Sequence, residues 1–306
     1  MLQFPSVPVV SRLAPTPSGF LHLGNAVNFT LTWLLTRRAG GTLHLRIDDL
    51  DRARFRPAYL DNIFRTLEWL GLDYDQGPSG PAEFERYYSQ QQRLAEYEAA
   101  LQAARTAHPT LFYACRCSRT ELARAAAPGG HYSGTCQTLG LPFEASGLAW
   151  RARVPPTTAI IWPDLAQGPQ LVALAEELGD FVVRKKDGMA AYQVASVLDD
   201  QRLGVNFIVR GQDLRASTAA QLWLAEVLPG QAGFTRTQFL HHNLLLDAAG
   251  QKLSKSTQTS QQRGILAEGA APQVVYRAVA TLLGLPVGAG ESLATLRAAL
   301  PEQNSL

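Results

Sequence analysis

The chain has 306 residues, 46% hydrophobic and 18% charged, with a net charge of +2. That is enough apolar material for a large core and for one to three structural units, and a charge so near zero neither requires nor excludes a nucleic-acid partner. No run of about eighteen apolar residues occurs, so no membrane-spanning helix is expected. Met1–Val10 also lacks the basic start and long apolar stretch of a secretory signal, so a cytoplasmic location is expected.

Val7 to Ala14 begins apolar and runs into Pro15-Thr16-Pro17-Ser18-Gly19, which reads as a strand entering a tight loop. Helical spacing follows over Leu23 to Arg38, with Ala26, Phe29, Trp33 and Leu34 on one core face. Thr42 to Ile47 alternates as a strand, and Pro57 to Leu70 reads as a helix with proline in its first turn. Strand, helix, strand, helix is the pattern of a parallel nucleotide-binding sheet, so the fold class is α/β and Rossmann-like. Arg86 to Ala107 reads as a further helix, and 112–137 as a small irregular module. Strands are expected over Trp150 to Val154, Ala159 to Trp162, Phe181 to Arg184, Val205 to Val209 and Thr237 to Leu246. Helices are expected over Ala219 to Leu228 and Gln273 to Leu283, with a loose tail after Pro286.

Three features carry chemistry. In the loop from Pro15 to Asn25, Gly19 and Gly24 permit close approach of backbone to a base or phosphate. His22 stands at a helix start, where free N–H groups and the helix dipole favour anions. In Lys252-Leu253-Ser254-Lys255-Ser256, two lysines three apart can face one ligand, and point charges of this kind suit a triphosphate. The three cysteines, Cys115, Cys117 and Cys136, fall within 22 residues. An odd count so closely spaced points away from a disulfide framework and toward zinc. Structural zinc takes four ligands, and His131 is the nearby imidazole that chemistry alone would choose for the fourth.

The two loop motifs resemble the "HIGH" and "KMSKS" signatures of class I aminoacyl-tRNA synthetases. Leu23 and Asn25 replace the isoleucine and last histidine of the first, and Leu253 the methionine of the second. Arg12-Leu13-Ala14-Pro15-Thr16-Pro17, Arg46-Ile47-Asp48-Asp49-Leu50-Asp51 and Ile208 to Leu214 resemble motifs of the glutamyl branch. The resemblance runs from about residue 10 to 285. The chain stops soon after the second motif, and no anticodon-binding domain is expected. It is most similar to the short branch of the family that attaches glutamate to queuosine in tRNA(Asp). That branch carries a zinc pattern matching Cys115, Cys117, Tyr132 and Cys136, so the resemblance names Tyr132 as the fourth ligand.

The resemblance implies further expectations. His22 and Lys255 are catalytic, with Gly19, Gly24, Lys252 and Ser254 joining them around ATP and its Mg²⁺. Glutamate is held by Arg12, Leu13, Ala14, Pro15, Thr16, Asp48, Tyr192 and Arg210. The two arginines serve its carboxylates in either assignment, and Tyr192 belongs to a substrate-binding strand. Asp48 stands where the family has glutamate against the α-ammonium, one methylene shorter. The segments expected are 1–110 and 191–250 for the two halves of the nucleotide-binding domain, 111–190 for an inserted zinc module, and 251–306 for the lysine loop and helical end. A monomer is expected. Charging of a tRNA 3′ end, or an inactive RNA-binding paralogue, are the other functions this reading leaves.

Overall fold

The computed structural model describes residues 8–124, 132–245, 264–266 and 269–300 of the chain. The lysine loop 252–256, and His131, lie outside them. Two compact units are present: Met1–Gln92 with Val205–Gln212 and Gln238–Leu306, and Arg93–Gly204 with Asp213–Thr237.

The first unit is α/β. Strand β1 (Val10–Leu13) leads into helix α1 (Leu23–Arg38) and returns as β2 (Thr42–Leu45), parallel to β1 with Val10 opposite Thr42. Alternation in the strand then settles what lies on the other edge of β1. The carbonyl of Val9 accepts from Thr42 N. Val10 therefore points its own backbone groups the opposite way, and both meet Asn206. The Val10 N–H donates to Asn206 Oδ1 at 2.8 Å, and the Asn206 N–H donates to the Val10 carbonyl at 3.0 Å. Asn206 opens the segment that becomes the later strand Phe207–Gly211, which pairs in parallel with Gln238–His242. The chain thus leaves β1 in both lateral directions, and such a reversal of strand order opens a crevice beyond the strand's carboxyl end. The proline-rich loop after Leu13 lies at that end.

Helix α1 corrects the expectation of a single core face. Ten of its residues are buried, including Thr30, Thr32 and Thr36 as well as Phe29, Leu31, Trp33 and Leu34. It packs against β1, β2 and the strand Phe207–Gly211, and also against the helix Gln273–Leu282. Thr32 and Thr36 are tolerated because they donate their hydroxyls to the carbonyls four residues earlier. Helix α2 (Pro57–Trp69) begins at its proline as expected and buries Leu60, Ile63 and Leu67.

The expected helix over 86–107 begins only at Leu94. Phe84–Tyr88 forms a π-type turn and Gln90–Arg93 a 3₁₀ turn, with Ser89 extended between them. The cause is long-range. Buried Asp49 accepts from Ser89 Oγ at 2.6 Å and from Gln90 N at 2.8 Å, which takes this backbone out of helical bonding. No local propensity signals such a break.

The second unit holds β3 (Phe112–Cys115), β4 (Ala149–Ala152), β5 (Ala159–Asp164), β6 (Gly168–Ala173) and β7 (Phe181–Arg184). Strands β3, β4 and β7 form an antiparallel sheet, and β5 with β6 an antiparallel hairpin. β3 and β6 were not among the expected strands. The hairpin turn had a readable signal: Asp164 Oδ1 accepts from Ala166 N and Gln167 N, and Gly168 takes φ of +71°. Tyr192 is corrected as well. It opens a helix, Tyr192–Arg202, rather than lying in a strand. The helix expected over 219–228 starts four residues earlier, as Arg215–Val227.

Asp199 on the helix Tyr192–Arg202 is fully buried. Arg93 Nη2 lies 2.5 Å from its carboxylate, and Tyr97 donates to it at 2.8 Å. Removing one partner of a buried pair costs more than the pair contributes, so Arg93→Met is expected to lower stability by about 3 kcal/mol. Urea unfolding of the variant checks this, and a loss below about 1 kcal/mol, as for an exposed pair, contradicts it.

Candidate functional site

The loop after β1 is stitched to the segment after β2. Arg46 N donates to the Leu13 carbonyl and Asp48 N to the Pro15 carbonyl, each at 2.9 Å, continuing the parallel ladder past the strand ends. Arg12, Leu13, Ala14, Pro15, Thr16 and Asp48 are thereby held together. Arg12 and Pro15 are buried and Thr16 is exposed. Leu21 N donates to the buried Asn62 Oδ1 of α2 at 2.9 Å, fixing the far end of the loop.

His22 is the N-cap of α1, with extended backbone. The Asn25 side chain accepts from the His22 N–H at 3.1 Å. The asparagine that stands where the family pattern has histidine therefore caps the helix whose N-terminus faces the crevice. A Cβ on Gly24 would come within 3.1 Å of the His22 imidazole, so glycine leaves that ring its place. A Cβ on Gly19 would meet none of the described residues within 4 Å, so packing among them does not require glycine there.

Asp48 is buried, and its two oxygens accept from Arg46 Nε at 2.7 Å and Nη2 at 3.1 Å. This bidentate clamp fixes the direction of the carboxylate. Arg210, also buried, lies on the strand Phe207–Gly211 with its guanidinium 5.4 Å from the Phe239 ring. It lies four residues beyond Asn206, toward the carboxyl end of its strand, and in the same unit as Arg12 and Asp48. Its cross-strand partner is buried His241. Tyr192 belongs to the second unit and is 42% exposed.

Lys252, Ser254 and Lys255 lie outside the described residues. The segment that follows them is anchored on the first loop. Ile265 N donates to the Leu21 carbonyl at 2.8 Å, and Gly264 has φ of +68° with Phe20 Cβ only 2.6 Å from where a Cβ would stand. Only glycine satisfies both conditions. In the sequence, Gly264 shows only as an isolated glycine closing a polar loop.

The second unit contains the cysteine cluster. The Sγ atoms of Cys115, Cys117 and Cys136 all lie within 4.8 Å of one another, with Cys117 and Cys136 3.5 Å apart. Tyr132 Oη is 3.5 Å from Cys115 Sγ and 3.7 Å from Cys117 Sγ, and it accepts from Cys136 N at 2.8 Å. Two sulfurs on one tetrahedral zinc lie about 3.8 Å apart, and an oxygen lies about 3.5 Å from each sulfur. The four side chains therefore fit zinc. Burial raises the Cys117 thiol to about 11. At Cys136 burial also acts upward, but hydrogen bonds from Tyr132, Arg116 N and the other two thiols bring it down to about 7. Loss of the Cys136 proton is thus eased, and metal binding would release the thiol protons.

Comparison with known proteins identifies the family of the chain. The family described as tRNA synthetases class I (E and Q), catalytic domain, matches residues 8–303. The Glutamyl-Q tRNA(Asp) synthetase of Nitratidesulfovibrio vulgaris is 39% identical over 289 residues, which span 90% of this chain and 86% of the relative. That of Symbiobacterium thermophilum is 41% identical over 292 residues, with the same coverage of 90% and 86%. Glutamate–tRNA ligase 2 of Acidithiobacillus ferrooxidans is 38% identical over 274 residues, spanning 85% of this chain and 55% of that protein. The crystal structure of a glutamate tRNA ligase from Elizabethkingia meningosepticum, in complex with its amino acid, superposes with a TM-score of 0.74 at 23% identity, over 96% of this chain and 65% of that one, a likeness of fold. The chain belongs to the class I tRNA synthetase family of the E and Q type, and it is a ligase of that family.

Proposed function

We propose that this enzyme activates L-glutamate with MgATP and transfers the glutamyl group to queuosine in tRNA(Asp). The observation that carries the reading is full-domain similarity, at 39% and 41% identity, to two proteins named for that activity. In the first step a glutamate α-carboxylate oxygen attacks the α-phosphorus of ATP. The bond to the β-phosphate oxygen breaks and pyrophosphate leaves. The carboxylate is already ionised, so the step needs no general base, only positioning and charge stabilisation. Gly19, His22 and Gly24 receive the nucleotide at the start of α1, and Lys252, Ser254 and Lys255 meet the phosphates. Arg12 and Arg210 take the carboxylates of glutamate, and Asp48, aimed by Arg46, takes its ammonium. Leu13, Ala14, Pro15 and Thr16 form the backbone wall, and Tyr192 contributes a hydroxyl.

In the second step a hydroxyl of the queuosine cyclopentene diol attacks the adenylate carbonyl, loses its proton and expels AMP. That diol is chemically akin to the ribose diol that synthetases esterify at a tRNA 3′ end, so one adenylate site can serve either acceptor. Cys115, Cys117, Tyr132 and Cys136 would hold zinc, which cross-links the module and takes no part in either step. The enzyme acts as a monomer in this reading. The test compares three acceptors. tRNA(Asp) carrying queuosine is expected to accept glutamate, also when its 3′ end is blocked with a dideoxynucleotide. The same tRNA with unmodified guanosine is expected to accept none. Equal charging of the unmodified transcript, lost on blocking its 3′ end, would establish 3′-end charging instead.

A further inference from the structure

Zinc held by three thiolates and a phenolate has a formal charge of −2, against −1 were the fourth ligand a neutral imidazole. Cys115 and Cys136 are each 1% exposed, and Cys117 and Tyr132 are half-buried, so part of that charge would sit away from water. A buried charge is costly unless an opposite one is close. The neighbouring strand supplies one. Arg151 on β4 is 5% exposed, and its guanidinium carbon lies 3.9 Å from the centroid of the Tyr132 ring.

The contacts of Arg151 show what it is not used for. Its Nη1 donates to the Asp180 backbone carbonyl at 2.8 Å, and its buried Nε has no hydrogen-bond partner among the described residues. The Asp180 carboxylate is engaged by neutral donors: Tyr113 Oη at 2.6 Å, Gln137 Nε2 at 2.5 Å and Val154 N at 2.9 Å. Among the described residues no carboxylate forms an ion pair with Arg151. It is thus a buried cation with no acidic partner there, set against the ring of a residue that fits zinc.

The same strand pairing fixes the ring itself. Tyr113 is the cross-strand partner of Arg151 and stacks with Tyr132 at a centroid distance of 6.5 Å. Tyr132 therefore touches both a fixed aromatic neighbour and a fixed guanidinium. Cation–π contact of this kind strengthens when desolvated, and more so when the ring carries a phenolate.

We propose that Arg151 is the positioning and charge-compensating residue of the zinc site, and that it makes Tyr132 the fourth ligand. This rests on the reading of the cluster as a zinc site. The experiment measures zinc affinity of the full chain by competition with a chromophoric chelator, together with the absorption spectrum of the cobalt-substituted protein. Arg151→Met is expected to weaken zinc binding by about 10- to 100-fold, the usual effect of losing a residue that supports a ligand. Arg151→Lys, which keeps the charge, is expected to recover most of it. In a Tyr132→Phe background the methionine change is expected to cost less than about threefold, because coupled residues are not additive. Should Arg151→Met fail to fold, the neutral Arg151→Gln carries the same expectation. Zinc affinity unchanged in the neutral variant, while Tyr132→Phe alone weakens it, would overturn the role of Arg151 and leave the site standing. Wild-type protein that binds no zinc, or shows an imidazole in its cobalt spectrum, would overturn the site and this role together.

Discussion

Lys255→Ala is expected to lower glutamate-dependent ATP–pyrophosphate exchange by about 10- to 1000-fold, the range seen when a donor to developing charge is removed. As the bond from the α-phosphorus breaks, negative charge gathers on the departing pyrophosphate. A lysine ammonium is a compact point charge suited to that task. Lys255 itself lies outside the described residues. The described segment after it, however, is pinned to the signature loop through Ile265 and Leu21. Because the charge appears only in the transition state, the loss should fall on kcat and leave the KM for glutamate nearly unchanged. A variant that exchanges at the wild-type rate, or loses activity only through KM, contradicts this role.

Arg210→Ala is expected to reduce kcat/KM for glutamate by about 100-fold or more and to narrow the preference over glutamine. Arg210 is 3% exposed and stands in the same unit as Arg12 and Asp48. A carboxylate brought to a buried guanidinium gains a charge-assisted, two-pronged bond that the amide of glutamine forfeits. Arg210→Lys should not restore it, since an ammonium cannot offer the same fork. Exchange with each amino acid, with folding checked by circular dichroism, measures the effect. Undiminished discrimination in the alanine variant would remove Arg210 from the pocket.

What could be read from the chain before its structure was local. The periodicity of Leu23–Arg38, the proline at the start of Pro57–Trp69 and the spacing of three cysteines each announce themselves within a short window. What could not be read depends on partners far along the chain. Asp49 breaks a helical pattern forty residues away by gripping Ser89 and Gln90. Asn206 sits against β1 across 196 residues. The Arg46 clamp on Asp48 spans only two residues, yet neither residue type nor spacing distinguishes it from an exposed pair. Tyr192 was misplaced for the opposite reason. The motif likeness implies a strand, where Val194, Ala195 and Val197 are buried in a helix.

The central claim is that glutamate, once activated, goes to the anticodon loop. The direct measurement is the position of radiolabelled glutamate on queuosine-containing tRNA(Asp) after nuclease digestion. The label is predicted to travel with the fragment that contains the wobble nucleoside and to be absent from the 3′-terminal adenosine. Label recovered on the terminal adenosine, with none on the wobble fragment, would contradict the account.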